Sequence, residues 1–127
     1  MAYVKKNKKQ KLASDSVVVC VKSTFNNTLV TVTTMAGDVL LRSSAGCLKY
    51  KGTRKGTPYV ASQIGQSLTK DMHAMGVKQV EMNLSGIGHG RDSVVRSMQA
   101  AGFQILALRD VTPIAHAGCR PPKRRRT

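Results

Sequence analysis

Acidic side chains are scarce in this sequence: 6 Asp and Glu stand against 21 Lys and Arg in 127 residues, a formal net charge of +15. The six are Asp15, Asp38, Asp71, Glu81, Asp92 and Asp110, spread over turns, helices and strand ends with no two on neighbouring strand positions. Two-metal phosphodiester cleavage needs several carboxylates converging on one point, and this spread excludes it. Cysteines are few and odd in number. Cys20, Cys47 and Cys119 lie far apart, which suits reduced thiols and not a disulfide framework. His116 and Cys119 form the only close pair of soft ligands, whereas a structural zinc site takes four, so neither a metal nor any other cofactor is expected. Long apolar runs are also missing. No stretch approaches the roughly 18 residues of a membrane span, and the Lys-rich N-terminus has no apolar segment behind it, so neither a membrane partner nor a secretory signal is expected. Finally, there is no Gly-x-Ser-x-Gly elbow and no Cys and His spacing that marks a nucleophile, so the chain does not read as an enzyme.

What is present is positive charge, concentrated in three places. Lys5, Lys6, Lys8, Lys9 and Lys11 cluster near one end, and Arg120, Lys123, Arg124, Arg125 and Arg126 cluster near the other. Lys49, Lys51, Arg54 and Lys55 form a third group between them. Hydrophobic residues make up 41% of the chain, enough to bury a core in one compact domain. The layout is a globule over 16–111 with a basic N-terminal arm at 1–15 and a basic extended tail at 112–127. Like charges packed this densely with few apolar neighbours leave both arms unstructured until an anion neutralises them. A polyanion is therefore the expected partner, nucleic acid first.

The apolar pattern between the arms changes period in an orderly way. Residues 16–23 hold the β-branched run of a buried strand, residues 28–34 alternate Leu and Val with Thr, and Asn26-Asn27 supplies the turn between them. A third strand opens at Val39 and runs out by Ala45-Gly46, after which residues 46–57 read as a long basic loop without period. Thr57-Pro58 starts a helix, with Thr as N-cap, and Val60, Ala61, Ile64, Leu68, Met72 and Met75 form its apolar face up to Gly76. A fourth strand over 77–84, a helix over 91–101 and a fifth strand over 103–111 complete the order β-β-β-α-β-α-β. This predicts a mixed five-stranded α/β sheet with a ribonuclease H-like strand order, covered by helices in two or three layers.

Between the fourth strand and the second helix lies Ser85-Gly86-Ile87-Gly88-His89-Gly90-Arg91. Glycines that uncover backbone N–H groups ahead of a helix N-terminus can cradle phosphate, and Arg91 adds a charged donor there. A dinucleotide site is the rival reading, with Asp110 at the ribose position 20 residues after Gly90, but the third glycine comes one residue early and too little chain follows to build the second half. A plain tight turn with no ligand is the third.

Thr24-Phe25-Asn26-Asn27-Thr28, Gly52-Thr53-Arg54-Lys55-Gly56-Thr57-Pro58, Gly86-Ile87-Gly88-His89-Gly90-Arg91, Ala100-Ala101-Gly102-Phe103, Asp110-Val111-Thr112-Pro113-Ile114 and Gly118-Cys119-Arg120-Pro121-Pro122-Lys123 together resemble the small-subunit ribosomal protein eleven family, in the family's own order from about Val17 onward. The resemblance implies a structural protein of the small ribosomal subunit, in a bacterial cytoplasm or an organelle. It implies binding to small-subunit rRNA on the platform, bridging separate rRNA helices and helping to form the Shine–Dalgarno cleft. Neighbouring proteins six, seven and eighteen and mRNA near the exit cleft are its implied partners. An architectural DNA-binding protein with basic tails is the alternative that charge alone leaves open.

Two segments depart from the family pattern. Ile87 and His89 stand where many members have proline, which makes the turn less stiff and lets His89 approach a phosphate. Ala115-His116-Ala117-Gly118 replaces Pro-His-Asn-Gly and removes a side-chain amide at 117. The RNA-binding residues expected are the lysines and arginines of the three basic groups, Gly86, Gly88, His89, Gly90, Arg91 and His116. To these are added Thr24, Asn26, Asn27 and Thr28, whose hydroxyls and amides suit ribose 2′-OH or phosphate, although a plain hairpin turn explains the two asparagines equally well. Pro121-Pro122 holds the tail extended.

Overall fold

A computed structural model describes residues 16–126. The basic cluster Lys5 to Lys11 and the arm that contains it lie outside the described residues. β1 (Ser16–Ser23), β2 (Thr28–Thr33) and β3 (Val39–Ser44) form an antiparallel meander. α1 (Pro58–Ala74) carries the chain across to β4 (Gln79–Ser85), and α2 (Gly90–Ala100) carries it on to β5 (Gln104–Asp110). The sheet order is β3-β2-β1-β4-β5, with β4 parallel to both β1 and β5. This is the mixed five-stranded sheet and the element order that the apolar periods predict.

Both helices lie on one face, so the protein has two layers. β1 sits in the middle of the sheet and alternates: Val17, Val19 and Val21 are at most 1% exposed, whereas Val18 and Cys20 are half-buried and Lys22 is exposed. The buried set packs with Val30 and Val32 of β2, and with Val80 and Met82 of β4, under Val60, Ile64, Leu68 and Met72 of α1 and Val94 and Met98 of α2. Such side chains are each worth about 1.5–3 kcal/mol when taken fully out of water, and the β-branched valines also suit the pleat. α1 and α2 touch closely where Gly65 meets Ser97. A side chain at 65 would fall 2.6 Å from the Ser97 Cβ, and the Ser97 hydroxyl reaches the carbonyls of Ser62 and Ser93. The mid-helix glycine, which costs about 1 kcal/mol in propensity, is what permits that approach.

The segment expected to be a basic loop without period is ordered into two turns. Residues 44–50 coil through amide bonds from Cys47 to Ser44, from Leu48 and Tyr50 to Ala45 and from Lys49 to Gly46, and a 3₁₀ turn follows over Gly52–Gly56. Buried Ala45 and the core contacts of Leu48 and Tyr50 pin the first turn, and three apolar anchors among glycines and lysines are too few to register as a period. Thr57 does stand at the N-cap of α1 with extended backbone. Its hydroxyl, however, donates back to the Arg54 carbonyl (2.8 Å), tying the helix start to the 3₁₀ turn instead of capping the helix.

Candidate nucleic-acid interface

The β1–β2 turn is closed by Thr24. Its amide donates to the Asn27 carbonyl (2.8 Å), its hydroxyl donates to the same carbonyl (3.2 Å), and that hydroxyl accepts from the amides of Asn26 and Asn27. The Asn27 side-chain oxygen accepts from the Thr28 amide (2.8 Å). Thr28 is fully buried, with its hydroxyl 3.4 Å from that of Ser23. Of the four polar residues expected to meet RNA here, Thr24 and Thr28 are thus committed to the turn and Asn27 is half-committed. Asn26 is exposed, and its side chain forms no hydrogen bond among the described residues.

Two other loops press directly on this turn, and glycine is what lets them. A side chain at Gly56 would land on the Phe25 carbonyl, one at Gly86 on the Ser23 carbonyl, and one at Gly88 on the Ser23 hydroxyl and the Thr24 carbonyl. At Gly90, the start of α2, a side chain would strike the Thr28 hydroxyl and the Ala61 methyl. Gly86 additionally has φ +91°, a conformation that L side chains rarely adopt. The 3₁₀ turn carrying Arg54 and Lys55 therefore packs against Phe25 and Asn26, and the glycine loop against Ser23 and Thr24. Three motifs separated by about thirty residues each form one corner of the molecule, at the C-terminal ends of β1 and β4.

Part of the donor set of the glycine loop is used within the fold. The Gly88 amide already donates to the Ser23 carbonyl (3.1 Å) and the Gly86 amide to the Thr112 hydroxyl (3.2 Å). Arg91 is likewise occupied: one guanidinium nitrogen donates to the Gly86 carbonyl and to Asp110, each at 3.1 Å. Asp110 also accepts from the hydroxyl (2.6 Å) and amide (3.1 Å) of Thr112. These Thr112 bonds first, and then Arg91, lower its carboxyl from the ordinary 3.8 to about 2. Asp110 is thus a latch between the end of β5 and the glycine loop, which accounts for its position better than a ribose contact does.

The charges of the basic loop are mostly solvent-facing. Lys49, Lys51 and Arg54 are exposed and Lys55 half-buried, and none of the four forms an ion pair among the described residues. Lys49 adopts φ +66° at the end of the turn over 44–50. The chain leaves β5 beside the glycine loop, through the Val111 amide bonded to the Leu84 carbonyl (2.7 Å), and Ile114 joins Ile87 in lining a shallow pocket of about 300 Å³. From there to Arg126 it has neither helix nor strand. His116, Arg120, Lys123, Arg124, Arg125 and Arg126 are all exposed, and Ala117 and Gly118 both take positive φ. Sequence reasoning left Phe25 unassigned. The residue is 62% exposed and its ring lies 6.0 Å from the His89 ring, with Ile87 also exposed in the glycine loop. An aromatic residue inside a polar turn, where no core period calls for it, is the signal that could have marked it.

The family profile described as Ribosomal protein S11 matches residues 17–126. The chain belongs to the ribosomal protein S11 family. It is 46% identical over 119 residues to the small ribosomal subunit protein uS11c of Trieres chinensis, covering 94% of this chain and 92% of that one. Against the protein of the same description from Mesostigma viride it is 51% identical over 109 residues, covering 86% and 84%. The family is one of ribosomal structural proteins and is not an enzyme family. Among the described residues no group of His, Cys, Asp and Glu is placed to hold a metal, and no helix is long and apolar enough to cross a membrane.

Proposed function

We propose that the protein is a structural constituent of the small ribosomal subunit that binds small-subunit rRNA on the platform. It bridges separate rRNA helices there and helps to form the Shine–Dalgarno cleft, beside proteins seven and eighteen, with six and the mRNA near the exit cleft as further contacts. Likeness to the two uS11c proteins favours an organelle ribosome over a bacterial one. The observation that carries the RNA reading is the fused corner. Glycines at 56, 86 and 88 bring unpaired cations, a free asparagine amide and an exposed aromatic ring onto one rigid surface. Cations there and on the arms displace condensed counterions from phosphate, and the polar side chains suit ribose and base edges. In this reading Arg54, Lys55, Asn26, Asn27, His89 and the tail residues touch RNA. Gly86, Gly88, Gly90, Arg91, Thr24 and Thr28 hold the surface in shape, and Lys49 and Lys51 extend its positive field.

The test is binding to a platform fragment of small-subunit rRNA. Arg54→Ala with Lys55→Ala is expected to weaken it and to lower the salt slope by up to about 2, since each neutralised phosphate contributes about 0.7–0.9. The melting temperature stays nearly the same, because Arg54 is exposed, Lys55 is only half-buried and neither belongs to the core, and substitutions at such positions are usually worth about 0.5 kcal/mol or less. Unchanged affinity with a lowered melting temperature would make the turn purely structural.

A further inference from the structure

We propose that Phe25 and His89 form a stacking face for one unpaired RNA base, with Asn26 at its edge and Arg54 and Lys55 placed for the attached phosphates. This inference rests on the RNA-binding reading and names the part of the RNA that the corner takes.

Phe25 is 62% exposed, and flexibility of its backbone does not explain why. Its carbonyl is packed against Gly56, the preceding Thr24 carbonyl against Gly88, and the turn is closed by the Thr24 and Asn27 bonds. A rigid turn thus projects an aromatic face into water, at a standing cost that a docked apolar partner would recover. The His89 ring lies 6.0 Å away at an interplanar angle of 51°, so it flanks the phenyl ring without stacking on it, and both residues are exposed. Ile87 adds a third exposed apolar group on the glycine loop, while Asn26 in the turn and Arg54 and Lys55 on the adjoining 3₁₀ turn are polar or cationic. A protein partner with an apolar side chain would leave these cations unmatched. A nucleotide matches all of them, with a flat apolar base for the rings, amide-pairing edges for Asn26 and a phosphate for the cations. Bases locked in a duplex cannot reach the ring, so the occupant is unpaired.

The full-length chain is titrated with a 12-nucleotide oligoadenylate carrying one 2-aminopurine, and with an RNA duplex of equal phosphate count. Phe25→Leu is expected to lose about 5- to 150-fold in affinity for the single strand, the range for one stacked base. It is expected to lose the quenching of 2-aminopurine on binding, and to keep both its affinity for duplex and its salt slope. Phe25→Trp retains binding and quenching, and His89→Ala weakens both less than Phe25→Leu does. Equal single-strand affinity for wild type and Phe25→Leu, or equal losses on single strand and duplex, would overturn the stacking face. Arg54→Ala with Lys55→Ala separates the two readings. If it weakens binding while Phe25→Leu does not, RNA still binds the corner and only the stack is wrong; if neither does, the RNA-binding reading of the corner fails with it.

Discussion

Asp110 shows how one side chain can be placed by neighbours that sequence spacing does not reveal. Twenty residues after Gly90 it stands where a ribose-binding acid would, yet its oxygens are taken by Thr112 and Arg91. Its carboxyl ionises near 2 in the folded chain and near 3.8 when unfolded, so the charged form stabilises the fold. That contribution is fully present above about pH 5 and is lost as pH falls through about 2. Thermal melts of wild type and Asp110→Asn are expected to differ most at pH 5, with the gap shrinking steadily from there to about pH 2. A gap at pH 2 as large as the gap at pH 5 would assign the effect to shape and not to charge. Arg91→Ala removes the other half of the latch and is expected to lower the melting temperature by a few degrees. If it instead lowers RNA affinity with the melting temperature unchanged, Arg91 reaches phosphate after all. The cation itself is plain in the sequence. That it faces inward is not, because its partners lie 5 and 19 residues away on a loop and a strand end.

At the scale of elements, the strands and helices were legible because each carries a strong period, and the observed ends fall within one or two residues of the pattern. The two turns between β3 and α1 were not, since they are held by three apolar anchors and by backbone bonds. The glycine loop was legible as a turn before a helix, but its role was not, because the groups that fill the space beside each glycine come from β1 and the turn after it. Crowding therefore makes these glycines irreplaceable. Gly88→Val is expected to cost roughly 3 kcal/mol by overpacking against the Ser23 and Thr24 backbone, and denaturant unfolding measures it. Gly56→Ala tests the other flank: by pushing the 3₁₀ turn off Phe25 it is expected to reduce both stability and RNA affinity, unlike the charge substitutions at 54 and 55. Stability equal to wild type in Gly56→Ala would mean that the turn gives way easily and that the corner is less rigid than its packing implies.

For the whole molecule, charge and fold divide the work: a two-layer domain fixes the geometry of one corner, and the tail carries cations away from it. Truncation after Pro122 removes Lys123, Arg124, Arg125 and Arg126. The slope of log affinity against log salt is expected to fall by up to about 3, and an unchanged slope would mean that the tail does not meet phosphate. The root of that tail is fixed, because the Val111 amide is bonded to the Leu84 carbonyl and the Thr112 hydroxyl takes the Gly86 amide, beside the corner itself. The fourteen residues from Pro113 to Arg126 reach at most roughly 50 Å when fully extended. If both bind RNA as proposed, corner and tail are two ligands on one short tether. Once either has engaged RNA, the other searches a small volume at high effective concentration, so the complex can lose one contact and regain it before separating. The tail's main effect is then on residence time: a truncated chain would still find its site and would leave it sooner.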